Sequence, residues 1–469
     1  MKNSYEYPKF AVVGHPNKGK SSIVSSLSLD NSIQIGDTPG TTQIKRGFPL
    51  KVDGKVIYEL FDTPGFQRGR RVLSWLNKQE KVPADKRHEV VRKFIAEHKG
   101  NPKFIDEIEL LEPIVNGAGI IYVVDASKPY GVEYETEMEI LRWCGQPSMA
   151  ILNLIGQEDY REQWKNALGH YFRLVRTFNP MTMTFDEHIS LLESMSHLKE
   201  EWRENIKIAI NSLEEEQSRK IDLTVDTIVD NITKTLSFVY KYPIKGKTVS
   251  KSEEESAKKI YRNKIISYEN KQKRAIEEIW NHKGIDKLED DLLLDEVGLF
   301  SQESASIFGL SEKELIITGA SAGAITGAGV DLLFAGSTFF TASIIGGIIG
   351  GVGAKFGFNN LYEIEILRGK TIGKRELAIG PMKNLNFPYI LLGRSLYHAS
   401  TISKRSHALR DSLELVNSDD FFMDKLIDST SRKELEEIHV QLRKGKELKD
   451  ESLIKYKSVI LEAFKKLIK

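Results

Sequence analysis

A chain of 469 residues, 40% hydrophobic and 28% charged, is long enough for two to four domains and has an ordinary globular composition. Its formal net charge of +1 supplies no global field for nucleic acid, so a nucleic-acid partner is not indicated. The single cysteine, Cys144, excludes an internal disulfide framework and fits a reducing cytosol. The opening "MKNSYEYPKFAVVG" has no signal-peptide architecture, so a cytoplasmic location is expected, with any membrane contact made from the inner face.

The first element is the short apolar, β-rich run "KFAVV". It leads into Gly14-His15-Pro16-Asn17-Lys18-Gly19-Lys20-Ser21, which satisfies G-x-x-x-x-G-K-[ST] at every required position. Glycines let such a loop wrap phosphates closely, with successive backbone N–H groups aimed at the anion. Lys20 would reach the β- and γ-phosphates, and Ser21 would place a hydroxyl on Mg²⁺. "SSIVSSLSL" then reads as a helix whose N-terminus adds a positive dipole end. Gly14, Asn17, Lys18, Gly19, Lys20, Ser21 and Ser22 form the candidate nucleotide-binding set in this stretch.

Two further pieces follow in order. "IGDTPGTTQ" (35–43) offers Thr41 and Thr42 in a polar, Gly/Pro-punctuated loop. "KVIYELFDTPGF" (55–66) is an alternating strand ending in Asp62-Thr63-Pro64-Gly65. A carboxylate at that strand end can hold Mg²⁺ through water, and the Gly65 N–H can sense a γ-phosphate and order a switch loop. Lys20, Thr42 and Gly65 are the candidate catalytic residues. Thr42, Asp62 and Gly65 also join the nucleotide-binding set.

Together, G-x-P-N-x-G-K-S, P-G-T-T and D-T-P-G resemble the Era/TrmE-like branch of translation-factor-class GTPases, over roughly residues 8–180. The resemblance implies an α/β P-loop fold, Mg²⁺ as cofactor and GTP/GDP as ligands, with Ser21 and Thr42 as Mg²⁺ ligands beside Asp62. It also places Asn17, Gly36, Thr38 and Thr41 on positions that bind K⁺ in potassium-activated members. That Asn17 only braces the loop is the plainer alternative. Phe66 stands where Ras-like proteins carry a water-orienting glutamine, so slow basal hydrolysis is expected, accelerated by a cation, a partner or self-association.

"GAGIIYVVDASKP" (117–129) and "PSMAILNLIG" (147–156) read as buried strands. The loop after the second should carry Asn-Lys-x-Asp, which reads guanine. Asn153 aligns with the motif, but Leu154 replaces the Lys and Gly156 the Asp. Glu158 or Asp159 would have to supply the lost carboxylate, two or three residues late. "FRLVRTFNP" (172–180) reads as the last strand, with Thr177 or Asn179 near its end. GTP is favoured over ATP, and adenine remains the alternative.

Between Gly65 and Ala118 the pattern is helical and basic in its first half, which suggests one or two extra helices. Long amphipathic helices are expected from about 185 to 281, broken by the polar "YPIKGKTVSKSEEES" (242–256). From Leu315 to Ala354 the chain carries one charge, Asp331, and glycines spaced by four. Three readings stay open: a Gly-rich helical hairpin buried in the protein or an oligomer, one entering or lying on a membrane, or a plain loop. "LYEIEILRGKTIGKRELAIG" (361–380) reads as a β-hairpin and "FPYILLGRSLYHASTISKRSHA" as a helix. His398 and His407 give no metal-site spacing. The expected organisation is a P-loop domain over 1–185, a helical region over 186–310, an apolar hairpin over 311–358, and a β-hairpin with helices over 359–469.

"LN" in place of Asn-Lys-x-Asp, "GVDLL" within the apolar stretch, "LRG" between strands and "HA" ending at Ala408 resemble, with the P-loop motifs, a bacterial family joining a P-loop GTPase to a C-terminal domain of unknown function (DUF3482). The resemblance covers most of 8–408 and implies a class rather than a partner. Three functional readings follow: a nucleotide switch coupled to a membrane-docking or homo-oligomer-forming C-terminal region, a ribosome- or RNA-associated GTPase, and a nucleotide-binding scaffold with little turnover.

Overall fold

The computed structural model describes residues 7–28, 46–52, 54–79, 82–180, 183–244, 249–280, 298–301, 304, 308–309, 364–371, 374–404 and 423–468. These divide into two compact units, with the boundary between Glu216 and Gln217.

The first unit is an α/β P-loop domain. Its strands are β1 (Lys9–Val13), β2 (Arg46–Val52), β3 (Lys55–Asp62), β4 (Gly119–Asp125), β5 (Ser148–Asn153) and β6 (Leu174–Thr177). They form one sheet in the order β2-β3-β1-β4-β5-β6. β2 runs antiparallel to β3, and every other neighbouring pair is parallel. The continuous apolar runs reflect burial on both faces. Along β1, Phe10 and Val12 pack into one core while Ala11 and Val13 pack into the other. β4 alternates in the same way, with Ile121 and Val123 on the first side and Ile120, Tyr122 and Val124 on the second.

Helix α1 (Lys20–Ser28) follows β1. The segment between Gly65 and Ala118 holds three α-helices, α2 (Gly69–Asn77), α3 (Arg87–His98) and α4 (Ile105–Val115), where one or two were expected. α5 (Glu133–Trp143) and α6 (Arg161–Leu168) cross between the later strands. α7 (Phe185–Ser196) packs Leu191, Leu192 and Met195 into this unit's core. Thr184 and Glu187 form a capping box that starts it, each side chain taking the other's backbone N–H.

The second unit is mainly helical. α8 (Arg203–Ser237) carries the chain across the boundary, and α9 (Lys251–Ile279) starts at a Ser250–Glu253 capping box. Between them, β7 (Tyr240–Pro243) pairs antiparallel with β9 (Lys374–Met382), which pairs antiparallel with β8 (Ile364–Thr371). The expected hairpin of β8 and β9 is thus present, with a third strand that straddles the start of the stretch read as a polar break (242–256). α10 (Phe387–Lys404), α11 (Ser429–Arg443) and α12 (Asp450–Ile468) complete the unit. The apolar segment 315–354 and His407 lie outside the described residues. Among the described residues no helix is long and apolar enough to cross a membrane.

A layer of polar side chains lies inside this second unit. Arg394 Nε on α10 donates to Glu269 Oε1 on α9 at 2.6 Å, and both side chains are buried. Gln272 Oε1 accepts from Asn231 Nδ2 at 2.6 Å and from Ser395 Oγ at 3.0 Å. His398 is a core histidine, its Nε2 3.3 Å from Lys273 O, and burial pushes its pKa down to about 3. Breaking one half of a buried ion pair leaves an uncompensated charge. Arg394→Met is therefore expected to cost about 3–5 kcal/mol in denaturant unfolding. The double variant with Glu269→Leu should recover most of that, and equal stability of the single variant and wild type would refute the account.

Candidate nucleotide-binding site

The C-terminal ends of β1, β3, β4 and β5 lie together, because Val12 pairs with Asp62, Val13 with Tyr122 and Asp125 with Asn153. β1 is central, with β3 on one side and β4 on the other. Its loop therefore opens at the crevice where an open α/β sheet binds ligands.

That loop has the backbone its sequence requires. Gly14 has φ +145°, Gly19 +83° and Asn17 +59°. A Cβ on Gly14 would meet the Val123 carbonyl oxygen at 2.3 Å, so only glycine fits that approach to β4. Lys20 lies at the start of α1 and folds back over the loop, donating from Nζ to Gly14 O at 3.2 Å and His15 O at 3.1 Å. Ser21 Oγ donates to Asp62 Oδ2 at 2.7 Å, which brings together the two oxygens expected to hold Mg²⁺. Hard oxygen donors at that spacing, beside a phosphate cradle, fit the ion. Ser22 is buried on α1.

Gly65 lies against the loop: a Cβ there would come within 2.6 Å of the Pro16 ring. Thr63 Oγ1 donates to Val12 O at 2.7 Å and ties the end of β3 to β1. Phe66 is buried in the core. It is an anchor and presents no group to water. Gly36, Thr38, Thr41 and Thr42 lie outside the described residues.

Asn153 is brought to the loop, where its Nδ2 donates to Lys18 O at 3.1 Å. Lys18 contributes backbone to the loop, but its side chain turns away into a buried pair with Asp125 Oδ2 at 3.6 Å, over the Tyr134 ring. Leu154 packs toward the core, and its carbonyl accepts from Asn179 Nδ2 at 3.3 Å. The two carboxylates considered as replacements for the lost Asp are held elsewhere. Asp159 takes Arg161 Nε and Nη2 at 2.6–3.0 Å, and these bonds pull its pKa down to about 2. Glu158 accepts from Tyr160 OH at 2.7 Å.

Sequence reasoning missed three acidic groups around the site. Asp125 ends β4 and takes Ser127 N at 3.1 Å and Ser127 Oγ at 2.5 Å besides Lys18. Glu137 on α5 takes His15 Nδ1 at 2.9 Å and Tyr122 OH at 2.9 Å. Glu107 on α4 takes backbone N–H groups of Gln67 and Arg68. Only Asp125 had a signal, as a charge closing an apolar run. The other two sit on helices distant in sequence.

Burial pulls the Lys20 ammonium down to about 8, partly opposed by Asp62 and Glu137. A bound phosphate would raise that pKa, so binding above pH 8 requires proton uptake. Affinity for a nucleoside triphosphate should therefore be full below about pH 8. It should fall about tenfold per pH unit above it, until the pKa of the bound state is passed. Calorimetry from pH 7 to 9.5 in two buffers of different ionisation enthalpy measures this, and a flat profile would remove Lys20 as the titrating cation.

A model described as a 50S ribosome-binding GTPase (MMR_HSR1) matches residues 9–154, and one described as Domain of unknown function (DUF3482) matches 165–459. GTPase Der of Alkaliphilus metalliredigens is 39% identical over 169 residues, covering 36% of this chain and 32% of the relative. GTPase Der of Thermoanaerobacter pseudethanolicus is 32% identical over 120 residues, covering 25% and 27%. The chain thus spans about a third or less of these curated relatives. Among solved structures, Aquifex aeolicus Era bound to GDP and AlF4⁻ aligns with 16% identity and a TM-score of 0.26, over 37% of this chain and 52% of that one. A structure of Era with MgGDPNP and a 16S ribosomal RNA segment gives 15% and 0.26, over 37% and 51%. With a family model matched over more than half its length, the chain belongs to the DUF3482 family and carries a GTPase-family domain ahead of that region.

Proposed function

We propose that the protein binds GTP with Mg²⁺ and hydrolyses it slowly, as a nucleotide switch coupled to its C-terminal region. The observation that carries this is the loop itself: Lys20 on the Gly14 and His15 carbonyls, with Ser21 and Asp62 2.7 Å apart beside it. Ser21 and Asp62 would hold Mg²⁺, which supplies charge neutralisation at the β- and γ-phosphates. Lys20 would sit on the same oxygens, and the Gly65 N–H would read the γ-phosphate. Buried Phe66 supports slow turnover, since no side chain at that position can orient water. Phosphate release from GTP by the full chain should be measurable with Mg²⁺ and drop at least about a hundredfold in Lys20→Ala, by loss of transition-state charge stabilisation. Asp159→Ala should leave GTP affinity within about twofold, because that exposed carboxylate faces Arg161 and solvent. An undiminished rate in Lys20→Ala would refute the hydrolase reading, and a large loss in Asp159→Ala would restore that residue to base recognition.

The composition of the segment 315–354 supports docking to a membrane or to a second copy of the chain. A second reading, association with RNA, is favoured by the helical insertion. Residues 68–103 hold eleven Lys/Arg against four Asp/Glu in a chain of net charge +1, and Arg70, Arg71 and Lys78 on and just after α2 are exposed. One co-sedimentation series separates the two. Pelleting with anionic vesicles that is lost on deleting 315–354 supports docking, and equal pelleting removes the membrane part. Retention on structured RNA at about 150 mM salt, lost when those three residues become Glu, supports the second reading.

A further inference from the structure

The chain after Asp62 is pinned residue by residue. Thr63 is bonded to β1, Gly65 lies against Pro16, and Phe66 is buried. The next two residues are held from a distant helix. Glu107, in the first turn of α4, is fully buried, and its Oε1 accepts the backbone N–H of Gln67 at 3.0 Å and that of Arg68. Arg68 Nη1 adds a bond to Lys103 O at 3.0 Å, just ahead of the same helix.

Arg68 is the N-cap residue of α2, and its side chain makes no capping bond. The usual solution is a Ser, Thr, Asn or Asp at that position. Glu107, 39 residues away, does not replace that bond but takes the N–H of the N-cap residue itself and of the residue before it, with the carboxylate placed where the helix dipole favours it. Bonds from backbone N–H to a carboxylate are about twice as strong as neutral ones. Yet Glu107 Oε2 is buried with no hydrogen-bond partner among the described residues. A buried carboxylate left half satisfied is costly, and a cap alone gives no reason to keep it. The spare oxygen is a free acceptor beside the segment that follows Gly65.

We infer that Glu107 is a positioning residue for the γ-phosphate sensor: it holds the Gln67 and Arg68 amides, and through them sets where the Gly65 N–H stands. The role rests on the proposed triphosphate binding, whereas the clamp itself does not. Glutamine at 107 would keep one acceptor, lose the charge, and place an NH₂ where the structure shows no acceptor.

The test uses the full chain with Glu107→Gln and Glu107→Ala, read in two ways. Hydrogen exchange at the Gln67 and Arg68 amides should speed up about tenfold or more in Glu107→Ala and less in Glu107→Gln. Calorimetry with Mg²⁺ should show GDP affinity within about twofold of wild type. Affinity for a non-hydrolysable GTP analogue should fall about tenfold, with Glu107→Gln between. Folded variants with an unchanged ratio of triphosphate to diphosphate affinity would make Glu107 a structural cap only and overturn the inference. If Glu107→Ala does not fold, Glu107→Gln carries the same comparison. Wild type binding neither nucleotide would end the nucleotide reading and the sensing role together, while amide exchange would still report whether the clamp exists.

Discussion

A buried ammonium sets the terms for the N-terminal unit. Lys20 sits among its own loop's carbonyls, and burial has drawn its pKa to about 8. A cation desolvated to that degree is stable only where dipoles and carboxylates converge on it. The fold supplies both. The loop turns on Gly14 and Gly19 in conformations other residues resist, so that the Gly14 and His15 carbonyls face the ammonium. Asp62 and Glu137 come from β3 and α5, one on each side, and both favour the charged form. Parallel pairing of β1 with β3 brings Asp62 to the end of the sheet where the loop opens, and Glu137 is held there by His15 and by Tyr122 of β4. A phosphate entering this cradle would find a cation already oriented and partly stripped of water, which is how preorganised sites stabilise developing charge.

The same constraint gives the segment after β3 its tension. It must lie close enough to the loop for Gly65 to touch Pro16, yet its own sequence offers no side-chain cap for the helix that follows. The helices inserted before β4 resolve this. Phe66 anchors the segment in the core that α2, α3 and α4 share with β4, and Glu107 holds the next two amides. The insertion is thus tied to the segment after β3 through hydrogen bonds to its backbone. α4 and the start of α2 are thereby held to one another through the Gln67 and Arg68 amides.

Local chemistry was legible in the sequence and long-range pairing was not. The phosphate loop, the strand ending at Asp62, the hairpin of β8 and β9 and the helix from Phe387 all announce themselves by spacing, alternation or turn residues within a dozen positions. β2 and β7 were missed because their strand character comes from partners: "RGFPLKV" is an edge strand carrying a proline, and "YKYP" is four residues that pair with a strand more than a hundred positions later. The Lys18–Asp125 pair, the Glu137–His15 contact and the Glu107 clamp join residues from about forty to more than a hundred positions apart. No periodicity marks a carboxylate on an amphipathic helix as one that turns inward. Lys18, placed in the nucleotide-binding set, keeps its backbone in the loop, while its side chain goes to a partner that the local sequence does not reveal.

The altered base motif can now be divided into a structural part and a recognition part. Asn153 braces the phosphate loop: its Nδ2 holds Lys18 O, and Gly19 packs so closely that a Cβ there would lie 2.3 Å from it. That role needs no guanine, so the presence of Asn153 says nothing about the base. The recognition part is the missing carboxylate, and a neighbouring hydroxyl stands close to its position. A Cβ on Gly156 would stand 3.0 Å from Ser127 Oγ, whose hydroxyl is committed to Asp125, which in turn balances Lys18. A carboxylate restored at 156 would press on that chain of contacts, and Asp159 is paired outward with Arg161. Strong rejection of a wrong base requires buried polar groups that it leaves unpaired. Neither Gly156 nor Asp159, which faces Arg161, presents a carboxylate where the motif would place one, so that penalty has no such group behind it here.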